Sequence, residues 1–520
     1  MKLNDLLQAV AVKSVTARGQ TKRAWEPLKI ESIHCRAQEV QPGGLFVAVP
    51  GFVRDGHDFI DQAIGQGAVA VVVQHPVDCD AVVIQVADTR RALALLADRF
   101  FGHPSWHLFV IGITGTNGKT TTAYLLEQML AQQGFMVGVI GTINYRYAGK
   151  IFDNPVTTPE SFDLQRILAE MVAAGITHVV MEVSSHAIDL SRIAGCAIDI
   201  GVFTNLSQDH LDYHGDMDTY WACKQRLFTE YLPASAARKP VQAVINADDA
   251  HGRELAHKLA MPVVLTGQSQ EADVRAQAAV CDLDGIQARL QTPQGAQNIQ
   301  STLIGPHNRE NILSAAGVGL AAGLPLATVQ AGIHATRCEP GRLEKILSSK
   351  GRHVYVDYAH TPAALEKVLL ALKALTRHRI ICVFGCGGDR DRTKRPQMGG
   401  IAVTLSDMAV ITSDNPRSEP PLDIIDQIVS GITARDVAQY QFADLEQGVG
   451  RKGYIIEVDR KAAIRNTIAF SQVHDTILIA GKGHETYQIL GQRTVAFDDR
   501  EHARQALETL TEMQVANTDA

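Results

Sequence analysis

The chain has 520 residues with 49 Lys and Arg against 56 Asp and Glu, a net charge of −7 that argues against a nucleic-acid or anionic-membrane partner. Its length exceeds what one hydrophobic core supports and predicts three domains. No uncharged apolar run reaches membrane-spanning length, the opening MKLNDLLQAV lacks the apolar stretch of a signal peptide, and no two of the eight cysteines form a C-x-x-C pair, so a cytoplasmic monomer without zinc or disulfides is expected.

Residues 1–105 read as a small α/β domain. Gly43 and Gly44 precede the strand-like LFVAVP, which Pro50 and Gly51 close, and a second apolar run, AVAVVVQ, starts at Ala68. Residues 106–337 begin with LFVIGIT from Leu108, a buried strand. It leads into TGTNGKTTT and then a helix with Leu125, Leu126, Met129 and Leu130 on one face. Strand-like runs recur at THVVMEV, IDIGVFTN and VQAVINADD, predicting a mostly parallel sheet like that of phosphate-loop ATPases. Residues 338–520, from Cys338, read as a Rossmann-like domain. HVYVDYAHTP gives a strand and loop, and Leu365, Val368, Leu369, Leu372 and Leu375 recur at helical spacing. RIICVFGCGG, MAVITSDNP and TILIAGKGHE give three more strands that end in polar or Gly-rich loops, where α/β sheets bind ligands. The tail beyond about Met513 lacks an apolar face and is expected to fray.

The strongest local motif is Gly115-Thr116-Asn117-Gly118-Lys119-Thr120, with Thr121 next. Glycines let backbone N–H groups turn toward phosphate oxygens, and the following helix points its positive end at the same anion. Lys119 would reach the β- and γ-phosphates, and the Thr120 hydroxyl would hold Mg²⁺. Ile113 stands where the general pattern has its first Gly, so a plain strand-to-helix turn with a solvated Lys is the competing reading. No Asn-Lys-x-Asp run follows, which favours ATP over GTP.

TGTNGKTTT is the form this loop takes in the Mur ligase family. MEVSSHA, DHLDYHGDMDTYWACK, GPHNRENILSA, PGRLE, DYAHTP, GCGGDRDRTKRPQMG, DNPR and GKGHE follow in the family's order over most of the chain. Within the family the sequence most resembles the members that add meso-2,6-diaminopimelate to UDP-N-acetylmuramoyl-L-alanyl-D-glutamate for peptidoglycan precursors. The resemblance implies ATP as co-substrate, an acyl-phosphate intermediate, and roles for UDP-sugar, ATP and amino-acid binding in the first, second and third domains.

Residue by residue, the resemblance implies the following. Glu182 would hold Mg²⁺ with Thr120. Lys224 would be carbamylated by CO₂ and, with His210, would serve a second Mg²⁺; without the family, Lys224 reads as a solvated helix face and His210 as structural. Asn311, Arg342, Asp357 and His360 would contact ATP. Ile33, Cys35, Thr157, Thr158, Ser184 and Arg192 would contact the UDP-muramoyl dipeptide. Arg390, Asp414, Asn415, Pro416, Arg417, Gly481 and Glu485 would bind diaminopimelate, with Arg417 on the far carboxylate that lysine lacks. The first domain departs from the pattern. His34-Cys35-Arg36 replaces Asp-Ser-Arg, a poorer hydrogen-bonding set, and Leu190 replaces a Gln of some relatives. A lysine-adding or folate polyglutamate ligase, and a nucleotide-binding switch without catalysis, are the competing functions.

Overall fold

The apolar runs of the first hundred residues become one sheet. β1 (Val12–Thr16), β2 (Ser32–His34), β3 (Gly44–Val47), β4 (Ala68–Val73) and β5 (Val82–Val86) lie in the order β1-β5-β4-β3-β2, parallel except for β1. A computed structural model describes residues 1–17, 25–51, 54–337, 341–346, 351–432, 437–447 and 451–518. The expected domain start at Cys338 and the Pro340 of PGRLE lie outside them.

The second sheet has eight strands: β6 (Phe109–Thr114), β7 (Val137–Ile140), β8 (Asn144–Tyr147), β9 (Lys150–Asp153), β10 (His178–Glu182), β11 (Ile200–Phe203), β12 (Gln242–Asn246) and β13 (Val263–Thr266). Their order is β13-β12-β11-β6-β10-β7-β8-β9, with β8 and β9 antiparallel additions at one edge. β6 lies between β10 and β11, so the ends of all three bring their loops together. The helix Lys119–Gln132 buries Leu125, Leu126, Met129 and Leu130, the four residues its spacing placed on one face. Burying about four such side chains, at roughly 2 kcal/mol each, fixes the helix that carries the loop lysine.

A three-stranded sheet, β14 (Arg275–Asp282), β15 (Gly285–Thr292) and β16 (Gly295–Ser301), follows. The last large sheet contains β17 (Glu344–Ile346), β18 (His353–Asp357), β19 (Ile380–Phe384), β20 (Met408–Ile411), β21 (Ala438–Tyr440), β22 (Gly453–Ile456) and β23 (Thr476–Ala480) in the order β17-β18-β23-β19-β20-β22-β21. Only β17 is antiparallel. β24 (Tyr487–Leu490) and β25 (Arg493–Ala496) form a hairpin. The helix Pro362–Leu375 starts with Pro at its first turn and buries Leu365, Leu369 and Leu372. The final helix runs from Asp499 to Thr518, past the Met513 at which fraying was expected.

The chain forms two compact units. One comprises Met1–Ala278, Ala288–Ile299 and His307–Ala335; the other comprises Ala279–Gln287, Gln300–Pro306 and Thr336–Ala520. In the second unit Arg460 and Asp499, both without exposed side-chain surface, pair through two hydrogen bonds of 2.8 and 2.7 Å. Among the described residues no helix is long and apolar enough to cross a membrane.

Candidate active site

The loop between β6 and its helix is shaped by two glycines. Gly118 has φ +84°, and a Cβ there would stand 2.1 Å from Asn311 Oδ1; Gly115 has φ +148°, and a Cβ would meet Thr204 Oγ1 at 1.9 Å. Only glycine fits either place. The end of β11 latches the loop. Thr116 N donates to Asn205 O at 2.8 Å, Asn117 N to Asn205 Oδ1 at 3.0 Å, and Thr204 Oγ1 to Asn117 O at 2.6 Å. Asn117 Nδ2 also donates to Ser207 Oγ at 3.1 Å. Thr121 lies in the first helical turn.

Lys119 folds back, donating from Nζ to the carbonyls of Gly115 and Thr116, both at 2.9 Å. Burial lowers its pKa. Thr120 Oγ1 donates to Glu182 Oε2 at 2.9 Å. Glu182 is buried at the end of β10, and its carboxylate also takes Thr142 N at 3.0 Å and Thr142 Oγ1 at 2.9 Å. This buried oxygen cluster beside the loop fits a hard cation such as Mg²⁺, with Thr120 and Glu182 the residues that would hold it. Thr142 was not singled out in the sequence; its signal was the Gly-Thr that follows the apolar VGVI.

Lys224 does not sit on a solvated face. It is 1% exposed, on the helix Met217–Arg226 that Asp216 caps through Thr219 N. Its Nζ donates to Gly115 O at 2.9 Å and lies 4.4 Å from the centre of the Tyr220 ring. Burial, followed by the neighbouring charge of Lys119, pushes its pKa down to about 7. A buried amine that is half neutral near pH 7 is chemically fit to take up CO₂. Tyr220 also bonds Thr116 Oγ1 through its hydroxyl at 3.3 Å, and the ring of His210 meets it at 6.1 Å. Lys224 and His210 thus flank one tyrosine. His210 is exposed, with a left-handed backbone (φ +52°) and its ring edge-on to His186 at 5.1 Å. Among the described residues no three His, Cys, Asp or Glu side chains gather as a cation-binding group.

The residues assigned to the dipeptide meet on the other side of Glu182. Thr158 Oγ1 donates to the Glu182 carbonyl at 2.8 Å, Ser184 N donates to Thr158 Oγ1 at 3.2 Å, and Arg192 Nη1 donates to Thr158 O at 3.0 Å. Ser184 Oγ caps the next helix by accepting from Ala187 N. Thr157 and Thr142 are joined through their hydroxyls at 3.1 Å. In the first domain Ile33 lies inside the sheet with no exposed surface, so neither its side chain nor its backbone is open to a ligand. Cys35 is half-buried, and burial pushes its thiol up to about 12, so it stays protonated.

The second unit holds two further groups. Asp357 ends β18 and accepts from Leu343 N at 2.7 Å and Ala359 N at 2.8 Å; burial raises its pKa. Arg342 lies over Tyr358 at 5.6 Å, and His360 meets the same ring at 4.6 Å while bonding Tyr358 O at 2.8 Å. Asn311, also assigned to ATP, belongs to the first unit and donates from Nδ2 to Asn308 Oδ1 at 3.0 Å beside the loop.

The other group gathers the ends of β19, β20 and β23. Arg417 has φ +52° and donates from Nη1 to Gly388 O at 2.8 Å. A Cβ on Gly388 would stand 1.9 Å from Pro416 O. Asn415 Nδ2 donates to Glu485 Oε2 at 3.0 Å, and Gly481 N donates to Asp357 O at 3.0 Å. Arg390 is exposed, bonded only locally to Asp389 O at 3.1 Å. A second residue missed in the sequence is Lys482, fully buried among Asp414, Asn415 and Glu485. Its place inside GKGHE was the only signal.

A loop built to hold polyphosphate, beside a carboxylate suited to a hard cation, equips an ATP-using enzyme of the α/β class. The profile described as Mur ligase middle domain matches residues 113–319; Mur ligase, glutamate ligase domain matches 341–483; and Mur ligase family, catalytic domain matches 29–101. The UDP-N-acetylmuramoyl-L-alanyl-D-glutamate–2,6-diaminopimelate ligase of Geobacter metallireducens is 46% identical over 486 residues, 93% of this chain and 95% of that protein. The protein of the same name from Geobacter sulfurreducens is 44% identical over 505 residues, 97% of this chain and 98% of its own. A solved structure with that name superposes with a TM-score of 0.76 at 29% identity, covering 98% of this chain and 99% of that one. The chain belongs to the Mur ligase family and carries that family's three domains.

Proposed function

We propose that the protein joins meso-2,6-diaminopimelate to UDP-N-acetylmuramoyl-L-alanyl-D-glutamate at the expense of ATP, a ligase step in peptidoglycan precursor synthesis carried out by a cytoplasmic monomer. Residues 1–105 take the UDP-sugar, 106–337 the ATP and 338–520 the amino acid. The observation that carries this reading is the meeting of Lys119, Lys224, Thr120 and Glu182 around one loop, with Thr158, Ser184 and Arg192 at the far side of Glu182. The relatives' shared name supplies the substrates.

The difficulty in the first step is that two anions must meet. A carboxylate oxygen of the dipeptide attacks the γ-phosphorus, the bond to the β-bridging oxygen breaks, and ADP leaves. Lys119, once turned from the loop carbonyls toward the phosphates, spreads that charge. Thr120 and Glu182 would hold Mg²⁺, which would supply further neutralisation when bound. Arg192 orients the incoming anion through its remaining N–H groups. Lys224, as a carbamate, and His210 would be the residues to hold a second Mg²⁺. In the second step the amine of diaminopimelate, having lost a proton, attacks the acyl carbon, and phosphate leaves with the bonding electron pair. Arg342, Asp357, His360 and Asn311 contact the nucleotide; Arg390, Asp414, Asn415, Pro416, Arg417, Gly481 and Glu485 contact the amino acid.

Hydroxylamine tests the two-step route. With ATP, Mg²⁺ and the dipeptide but no amino acid, it should trap the acyl phosphate as a hydroxamate. Turnover with diaminopimelate but no hydroxamate at any hydroxylamine concentration would refute the intermediate.

A further inference from the structure

Lys482 occupies a position that the amino-acid-binding loops depend on. It lies between Gly481 and Gly483, just past the end of β23, and has no exposed surface. Its Nζ donates to Asn415 Oδ1 at 2.9 Å and to Tyr487 O at 2.8 Å. Asp414 Oδ1 lies 3.3 Å from the same ammonium and Glu485 Oε2 lies 3.4 Å away. An ammonium has three hydrogens, and the bonds to Asn415, Tyr487 and Glu485 use them all, so none is left for a ligand. Asn415 in turn donates to Glu485 and accepts from Ile489 N at 3.0 Å. One buried charge therefore ties the loop after β20, the loop after β23 and the β24 strand together.

The charges around it can be counted. Arg460 is paired in charge with Asp499 through two bonds and also donates to Ala480 O at 2.9 Å, so the pair adds no net charge to the set. Asp414 and Glu485 contribute two negative charges, and Lys482, Arg417 and Arg390 three positive ones, so Lys482 accounts for the one positive charge in excess. A set with both signs matches a ligand end that is itself zwitterionic, with an ammonium and a carboxylate on one carbon. A bare ammonium would bring an uncompensated positive charge. Without Lys482 the set would lose its excess positive charge and would repel that bare ammonium less.

We propose that Lys482 is the positioning residue that makes this site select an amino acid with a zwitterionic far end. The inference rests on the reading of these loops as the diaminopimelate site. It goes beyond that reading by assigning selectivity to a lysine that touches no substrate.

The test compares wild type with Lys482→Met, which keeps most of the side-chain volume and removes the charge. Steady-state kinetics are measured for meso-diaminopimelate, L-lysine and ATP. The KM for diaminopimelate should rise on the order of 30-fold, the loss of one charge-assisted network, while the ATP KM stays within about twofold. The kcat/KM for L-lysine should hold or rise, so the preference for diaminopimelate falls at least as far. Lys482→Gln gives the same readout should Lys482→Met fail to fold. An unchanged ratio of diaminopimelate to lysine, whether both fall or neither does, overturns the proposal. If wild type itself shows no preference for diaminopimelate, the amino-acid reading fails first, and that result is visible before any variant is made.

Discussion

Lys119 and Lys224 donate to one and the same oxygen, the carbonyl of Gly115, each at 2.9 Å. Two ammonium groups on one acceptor repel each other, and Lys224, the more deeply buried, has its pKa lowered to about 7, chiefly by burial and then by Lys119. The sign of the consequence is fixed. Between about 7 and the ordinary lysine value the unfolded chain holds the extra proton, so stability rises with pH through that window. Below about 7 the cost of the buried charge is fully present.

Only the neutral amine can attack CO₂. Enzyme stripped of CO₂ should lose activity and, at one fixed concentration of dissolved CO₂, recover it near pH 8 far faster than near pH 6. Lys224→Ala should be nearly inactive, and short carboxylates in solution should partly restore it. Full activity in rigorously CO₂-free buffer, or in Lys224→Arg, would contradict the carbamate.

Glu182 is held by three donors from Thr120 and Thr142. Glu182→Gln keeps the shape and removes the charge, so the Mg²⁺ concentration for half-maximal rate should rise roughly 10- to 100-fold. A magnesium titration of phosphate release measures it. Lys119→Ala should lower that release by several powers of ten at any Mg²⁺ concentration.

Arg417→Ala should raise the KM for diaminopimelate strongly and leave that for ATP nearly unchanged, because a site built around a charged partner discriminates by about 10⁴ or more. Its guanidinium now rests on Gly388 O, with its other N–H groups available to a carboxylate. Amino-acid KM values measured at saturating ATP decide the matter.

Asp499→Ala leaves the Arg460 guanidinium buried without its carboxylate and should destabilise the protein by about 3–5 kcal/mol in urea unfolding. Replacing both residues with apolar ones should recover most of that loss. Equal destabilisation by the single and double variants would show that the pair itself contributes the stability.

The core strands were legible because parallel strands buried on both faces read as unbroken apolar runs, as LFVIGIT, THVVMEV and TILIAGKG do. β14, β15 and β16 were not, because exposed polar residues interrupt their apolar pattern; the Asp284-Gly285 turn was the available signal. The phosphate loop was legible down to its glycines. The burial of Lys224 was not, since the carbonyl it bonds is 109 residues away in sequence. Lys482 was invisible for the same reason: its partners Asp414 and Asn415 come from a different strand end, and a lysine read alone defaults to solvent.

The most direct measurement is the mass of the UDP-linked product when ATP, Mg²⁺ and UDP-N-acetylmuramoyl-L-alanyl-D-glutamate are supplied with an equimolar mixture of meso-diaminopimelate and L-lysine. The account predicts a product heavier by one diaminopimelate residue, with one ADP and one phosphate released per amide formed. Incorporation of lysine to a comparable extent, or ADP released with no amide product, would contradict it.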